Sequence, residues 1–346
     1  TLFPYTTLFR LWRFPLRRLP RSGWACDGVI DAPGASPLRL SVRLDDASTE
    51  ASLARGASRL ALQRSTDTPD LTRIDLTRVP VQWAAALAAQ ARPGGRFSQG
   101  RLDGRLAITT PRDGAVHVQG PLALAGGALQ SDDGSIVGEN LDAHLDIDYR
   151  THEGSSQLAL DGTLGGEALF GETYLGLAGQ PVRLALRGET SPGQGWRFPL
   201  IEWRDGATLH AHGSARVGAD NALAALDLTL DGGDAAGLRD RYLSALLGKF
   251  GMSDVEISGQ WNGRIRLADG RLQQASATLH DVDLHDPRER FILRGLDGTV
   301  AFSAGASMAS ELRWRQARMY GLDFGETRLP FDSRDGALML QENAVV

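Results

Sequence analysis

Cysteine is all but absent from this sequence. Cys26 stands alone, which excludes an intramolecular disulfide and any zinc site built from cysteines. Lysine is equally scarce, with Lys249 the one lysine among 37 basic residues, a bias we read as codon usage. The 42 acidic residues leave a net charge of −5, so no cation excess exists to hold a phosphate backbone and no nucleic-acid partner is expected. Long apolar runs are missing as well. Leu11 to Arg21 interleaves apolar residues with Arg13, Arg17, Arg18, Arg21 and two prolines, giving neither a signal-peptide core nor an 18-residue span.

Catalytic signatures are missing too. No GxSxG or HExxH occurs, and no GxGxxG follows a strand. Phe250 follows Gly248-Lys249 where a P-loop needs a hydroxyl for magnesium. Asp132 and Asp133 are chain neighbours whose side chains point apart, so they cannot flank a glycosidic bond. SDDG at Ser131 and LDGG at Leu230 read as Asp-Gly turns. We expect a non-enzyme with no cofactor.

What remains is a pattern of strands. Aromatic residues make up 7% while glycine reaches 41, so burial falls to Leu, Val, Ile and Ala between frequent turns. Period-2 alternation dominates. Leu38, Leu40, Val42 and Leu44 share one face, and Leu141, Ala143, Leu145, Ile147 and Tyr149 another. Val182, Leu184 and Leu186 repeat the pattern, as do Leu209, Ala211, Ala215 and Val217, and Leu226, Leu228 and Leu230. The longest case places Val255, Ile257, Gly259, Trp261, Gly263, Ile265 and Leu267 on one side of a strand roughly 40 Å long.

Two segments break this rhythm. Residues 81–91 follow Pro80, place Trp83, Leu87 and Ala91 on one stripe and end at Pro93-Gly94-Gly95. Near 235–250, Asp234 can cap a helix in which Leu238, Tyr242, Leu246 and Phe250 recur every four residues. Both read as short amphipathic helices that cover an end of the β structure.

These helices belong to an internal repeat. At an offset of 159 residues Trp83 falls on Tyr242 and GRLDGRLAI from Gly100 falls on GQWNGRIRL from Gly259. At an offset of 155, LDAHLDI from Leu141 falls on LDGTVAF from Leu296. We therefore divide the chain into three. Residues 1–37 are set apart, with 1–10 read as a sequencing-adapter remnant; 38–237 form a first β section with the helix near 81–91. Residues 238–346 form a second section with the helix near 235–250, cut short at its C-terminal end.

Two constellations offer weak metal candidates. His210 and His212 lie two apart on one strand face with no third ligand evident nearby, and Asp281, Asp283 and His285 share a side of HDVDLHD. A solvated polar strand face explains both equally well, so no metal is expected.

The amphipathic helix followed by GQWNGRIRLADGRLQQASATLHDVDLHD and FILRGLDGTVAFS resembles the AsmA-like superfamily of Gram-negative envelope proteins, most closely its YdbH-like branch. The likeness covers about Leu38 to Val346 through repeat texture rather than an invariant motif. It implies a mainly β fold: a long antiparallel twisted sheet curled into an elongated groove, with two short amphipathic helices. It further implies a periplasmic, bridge-like lipid transport protein that serves outer membrane biogenesis by carrying phospholipid acyl chains between inner and outer membranes. Partners would be the inner membrane, through an anchor outside this fragment, and outer-membrane or envelope proteins. Groove-lining candidates are Leu141, Leu145, Ile147, Val255, Ile257, Trp261, Ile265 and Leu267, with Gly100, Gly104, Gly259 and Gly263 leaving room for bending or for a ligand. One alternative is a non-transporting envelope scaffold or tether with a closed β core. Another is a surface β-solenoid, an adhesin or polysaccharide-active protein, although its rungs recur every 20 to 30 residues or so.

Overall fold

The computed structural model describes residues 12–13, 16–19, 23–31, 36–83, 95–131, 134, 136–170, 173–220, 222–233, 235–334 and 337–340. The adapter-like segment 1–10, most of the helix expected at 81–91, the turn acids Asp132 and Asp133, the cap Asp234 and the chain end at 341–346 lie outside them. The protein is mainly β, with antiparallel pairing in a sheet that does not close on itself. It divides into two compact units. The first holds Thr1–Asp132 with Glu139–Leu160, and the second holds Asp133–Gly138 with Asp161–Val346. That division falls elsewhere than the repeat boundary at 237/238, because the units follow contacts and the repeat follows sequence.

In the first unit β1 (Trp12–Arg13) and β2 (Leu16–Leu19) both pair with β3 (Gly23–Ile30). A meander continues through β4 (Leu38–Leu44), β5 (Ser48–Arg55), β6 (Ser58–Ser65), β7 (Leu71–Pro80), β8 (Gly95–Thr109) and β9 (Val116–Ser131) to β10 (Ile136–His152). Cross-strand partners share a face, so register converts local alternation into a continuous surface. Leu40 meets Leu53, which meets Leu60, then Leu76, Gly104 and Leu122. Cys26, Val42, Ala51, Leu62, Ile74 and Leu106 form the adjoining row.

The second unit takes up β11 (Ser155–Phe170) from its middle and continues with β12 (Thr173–Gly176), β13 (Val182–Thr190), β14 (Arg197–Asp205), β15 (Leu209–Val217) and β16 (Leu223–Gly232). After the helix α1 (235–249) come β17 (Glu256–Ala268), β18 (Arg271–His285) and β19 (Phe291–Ser303). β19 then pairs with both β20 (Met308–Trp314) and β21 (Gln316–Met319). The chain closes with β22 (Leu322–Phe324), β23 (Thr327–Arg334) and β24 (Ala337–Leu340).

β17 bears out the alternation read from its sequence. Val255, Ile257, Gly259, Trp261, Gly263, Ile265 and Leu267 are buried or half-buried, and every residue between them is exposed. The expected helix at 235–250 is present, but its stripe needs correction. Residues 239–243 are π-helical, and the extra residue in that turn rotates the remainder of the helix. Leu238 and Tyr242 therefore pack inward, whereas Leu246 is 45% exposed and Phe250 66%. Leu247 is half-buried instead. Of the helix expected near 81–91, a helical turn at 81–83 is described.

The sequence repeat recurs in backbone detail. Gly100 and Gly259 both take positive φ, +128° and +110°, at a bulge where pairing with the next strand slips. Across from each bulge the carboxylate of Asp142 accepts the Gly126 N–H at 2.9 Å, and that of Asp297 accepts the Asp281 N–H at 3.1 Å. Gly126 and Asp281 are both left-handed, at φ +60° and +48°. Leu141 and Leu296 are both buried beside them.

Candidate apolar face and its cover

In the first unit the described residues place little over the apolar face. Leu40, Leu53, Leu60, Leu76 and Leu122 are all partly exposed, as are Val42, Ala51, Leu62, Ile74 and Leu106. Among the described residues of this unit, the buried hydrophobic side chains are Val79, Val81, Leu141 and Ala143. At one margin Arg55, opposite Leu38, shares this face, and its buried Nε has no partner among the described residues. A hollow of about 820 Å³ opens between the charged rows of the opposite face, at Arg59, Asp75, Asp103, Arg105, His144 and Asp146. Both signs of charge line it, so it selects for no one ion.

In the second unit the corresponding face is covered in part. Trp203, Ala211, Leu230 and Gly263 form one row by register, and Leu209, Gly232 and Trp261 the next. Leu177, Val182, Leu209, Ala211, Ala235, Tyr242 and Trp261 pack there as a buried cluster. The Trp261 indole lies across Gly232, where a Cβ would collide with the ring. A second cluster gathers Val282, Leu296, Trp314 and Ala317. Farther along the strands, Leu186, Ile201, Leu228, Ile265 and Phe302 stay partly exposed.

Beneath α1 lies a polar knot that no sequence motif announces. Asp205 is fully buried, and its Oδ2 accepts Arg241 Nε at 2.6 Å and the Tyr242 hydroxyl at 2.7 Å. Trp203 Nε1 donates to Tyr242 Oη at 2.8 Å. Burial holds the Tyr242 phenol well above its ordinary value, and the Asp205 carboxylate adds to this, so the hydroxyl stays a donor. In the sequence, Asp205-Gly206 reads only as a turn.

Of the lining candidates, Leu141, Val255 and Trp261 are buried by protein, and Leu145, Ile147, Ile257, Ile265 and Leu267 remain partly exposed. The second metal constellation does not converge. Asp281 pairs with Arg315, Asp283 accepts the Gly295 N–H at 2.7 Å, and His285 meets Glu256 at 2.9 Å. His210 and His212 do gain a third neighbour, Asp231, which the cross-strand register supplies. Among the described residues no helix is long and apolar enough to cross a membrane. No protein-family model and no curated protein matches the chain.

Proposed function

We propose that the chain binds phospholipid acyl chains along the open apolar face of its sheet, acting in the periplasm as a bridge-like carrier between inner and outer membranes. The observation that carries this reading is the partly exposed row from Leu40 through Leu53, Leu60 and Leu76 to Leu122, with its neighbour from Val42 to Leu106. At about 4.8 Å per strand, β4 to β9 spans roughly 24 Å of such surface. A contiguous apolar surface of that extent supports this reading, since such patches are a feature of protein, membrane and ligand contact sites. Each methylene laid on it would gain about 0.8 kcal/mol. Arg55 at the margin offers a guanidinium where a headgroup phosphate would sit.

The test is to express the 346-residue chain in a Gram-negative periplasm and examine it by native mass spectrometry. Co-purified phospholipid is expected, and Leu60→Asp combined with Leu145→Asp should abolish it while circular dichroism stays unchanged. A folded wild-type protein without lipid would overturn the reading. It would favour the scaffold or tether, for which the packed Trp261 and Trp314 clusters of the second unit speak.

A further inference from the structure

We infer that His210, His212 and Asp231 form a binding site for a first-row transition-metal dication, with Zn2+ as the natural probe. The two histidines sit two residues apart on β15, so their rings leave the same face. Pairing of β15 with β16 sets Asp231 directly opposite His210. One donor atom from each of the three side chains lies within 4.8 Å of the others. Asp231 Oδ2 is 3.6 Å from His212 Nδ1 and 3.8 Å from His210 Nδ1. Those gaps are too long for hydrogen bonds. They are a few tenths of an ångström beyond the ~3.3 Å that separates ligand atoms around a tetrahedral ion with bonds of about 2.0–2.1 Å.

A second observation is independent of that spacing. His210 Nε2 and His212 Nδ1 are buried atoms with no hydrogen-bond partner among the described residues, an arrangement native structures seldom leave without a purpose. Two other histidines with acidic neighbours are hydrogen-bonded to them, His117 at 3.0 Å from Asp148 and His285 at 2.9 Å from Glu256, whereas His152 lies 3.9 Å from Glu153. Nearby arginines have other carboxylates to hand, since Arg264, opposite Thr229, pairs with Asp227. Arg204, opposite His210, is 3.5 Å from Glu202, which itself faces His212. Asn262, opposite Asp231 on β17, adds a neutral amide.

The donor set selects the ion. Two imidazoles and one carboxylate suit Zn2+ or Fe2+ over Ca2+ or Mg2+, which prefer all-oxygen shells. Three protein ligands leave a further position for water or for a donor from a partner.

Zn2+ titration of the metal-free 346-residue chain against a chromogenic chelator tests this directly. One tight equivalent is expected for the wild type. His210→Gln with His212→Gln, and separately Asp231→Asn, should each weaken it by at least about tenfold. His144→Gln, on the first unit, should leave it unchanged. Asp231→Asn preserves size and shape, so it remains informative if the double histidine variant misfolds. Wild-type affinity retained in Asp231→Asn and in whichever histidine variants fold, or no tight equivalent in the wild type, would overturn the assignment.

Discussion

In the first unit the row from Leu40 to Leu122 lies partly open to water, whereas in the second the row through Trp203, Ala211 and Leu230 meets Trp261 and the Tyr242 side of α1. Both faces arise from the same period-2 alternation and the same antiparallel register. Among the described residues, what separates them is a covering element, α1 over the second unit's face. Alternation states that a face is apolar, and a second layer decides whether that face becomes a core. The second unit thus gains two buried clusters, and the described residues of the first leave its face partly exposed.

The sharpest way to break this contrast is to truncate one side chain from each face. Trp261→Ala removes the centre of a buried cluster and should cost about 3–5 kcal/mol. Leu60→Ala acts on a partly exposed side chain and should cost about 1 kcal/mol, since only part of its transfer energy is realised in the fold. Urea midpoints of both variants, measured on delipidated protein, provide the comparison. Equal losses would mean that the first face is covered in solution.

A smaller effect compares the two glycine bulges. A Cβ on Gly259 would lie 2.6 Å from the Asp281 carbonyl oxygen and 2.7 Å from Val282 Cα, both backbone atoms. On Gly100 it would meet Leu124 Cδ1 at 3.0 Å and Gly127 Cα at 3.1 Å. Both positions also carry the penalty of positive φ. Gly259→Ala should therefore cost about 3 kcal/mol and Gly100→Ala about 1 kcal/mol by thermal unfolding. The reverse order would show that the packing around the second bulge yields more readily than that around the first.

The legibility of the fold in the sequence divides along the same line between local and distant information. Alternation is local, so the strand from Val255 to Leu267 is legible residue by residue. The correspondence of Gly100 with Gly259 is legible too, because both answer a backbone demand that few other residues meet. The π turn at 239–243 is not, since a heptad-like stripe carries no sign of an extra residue. Asp231 is not legible as a neighbour of His210 because their meeting depends on register, which is set by the bulges and loops between strands. The burial of Asp205 is hidden for a related reason: its partners Arg241 and Tyr242 come from a helix 36 and 37 residues away. Nor can alternation distinguish Trp261, which is packed, from Ile265, which stays partly open.

The smallest effect compares two ion pairs across a pH series. In the second unit the Asp286 side chain is 1% exposed, and its hydrogen bond from Arg290 Nε, against the opposing effect of burial and with help from backbone N–H groups, lowers its pKa from 3.8 to about 2. In the first unit Asp148 is 40% exposed; burial works to raise its pKa, but Arg150 and His117 together lower it. Both folded-state values lie below the unfolded ones, so each contribution is present in full above the unfolded carboxylate pKa. Each is lost as pH falls through the folded value, which for Asp286 means between 3.8 and about 2. Added salt should separate them. It screens the exposed Asp148 pair and leaves the enclosed Asp286 pair largely intact. Thermal midpoints from pH 5 to pH 2 should therefore show an acid-side slope that Asp286→Asn flattens at both low and high salt, and that Asp148→Asn flattens at low salt alone. A salt-sensitive Asp286 effect would mean that this corner of the second unit is as open to water as the face of the first.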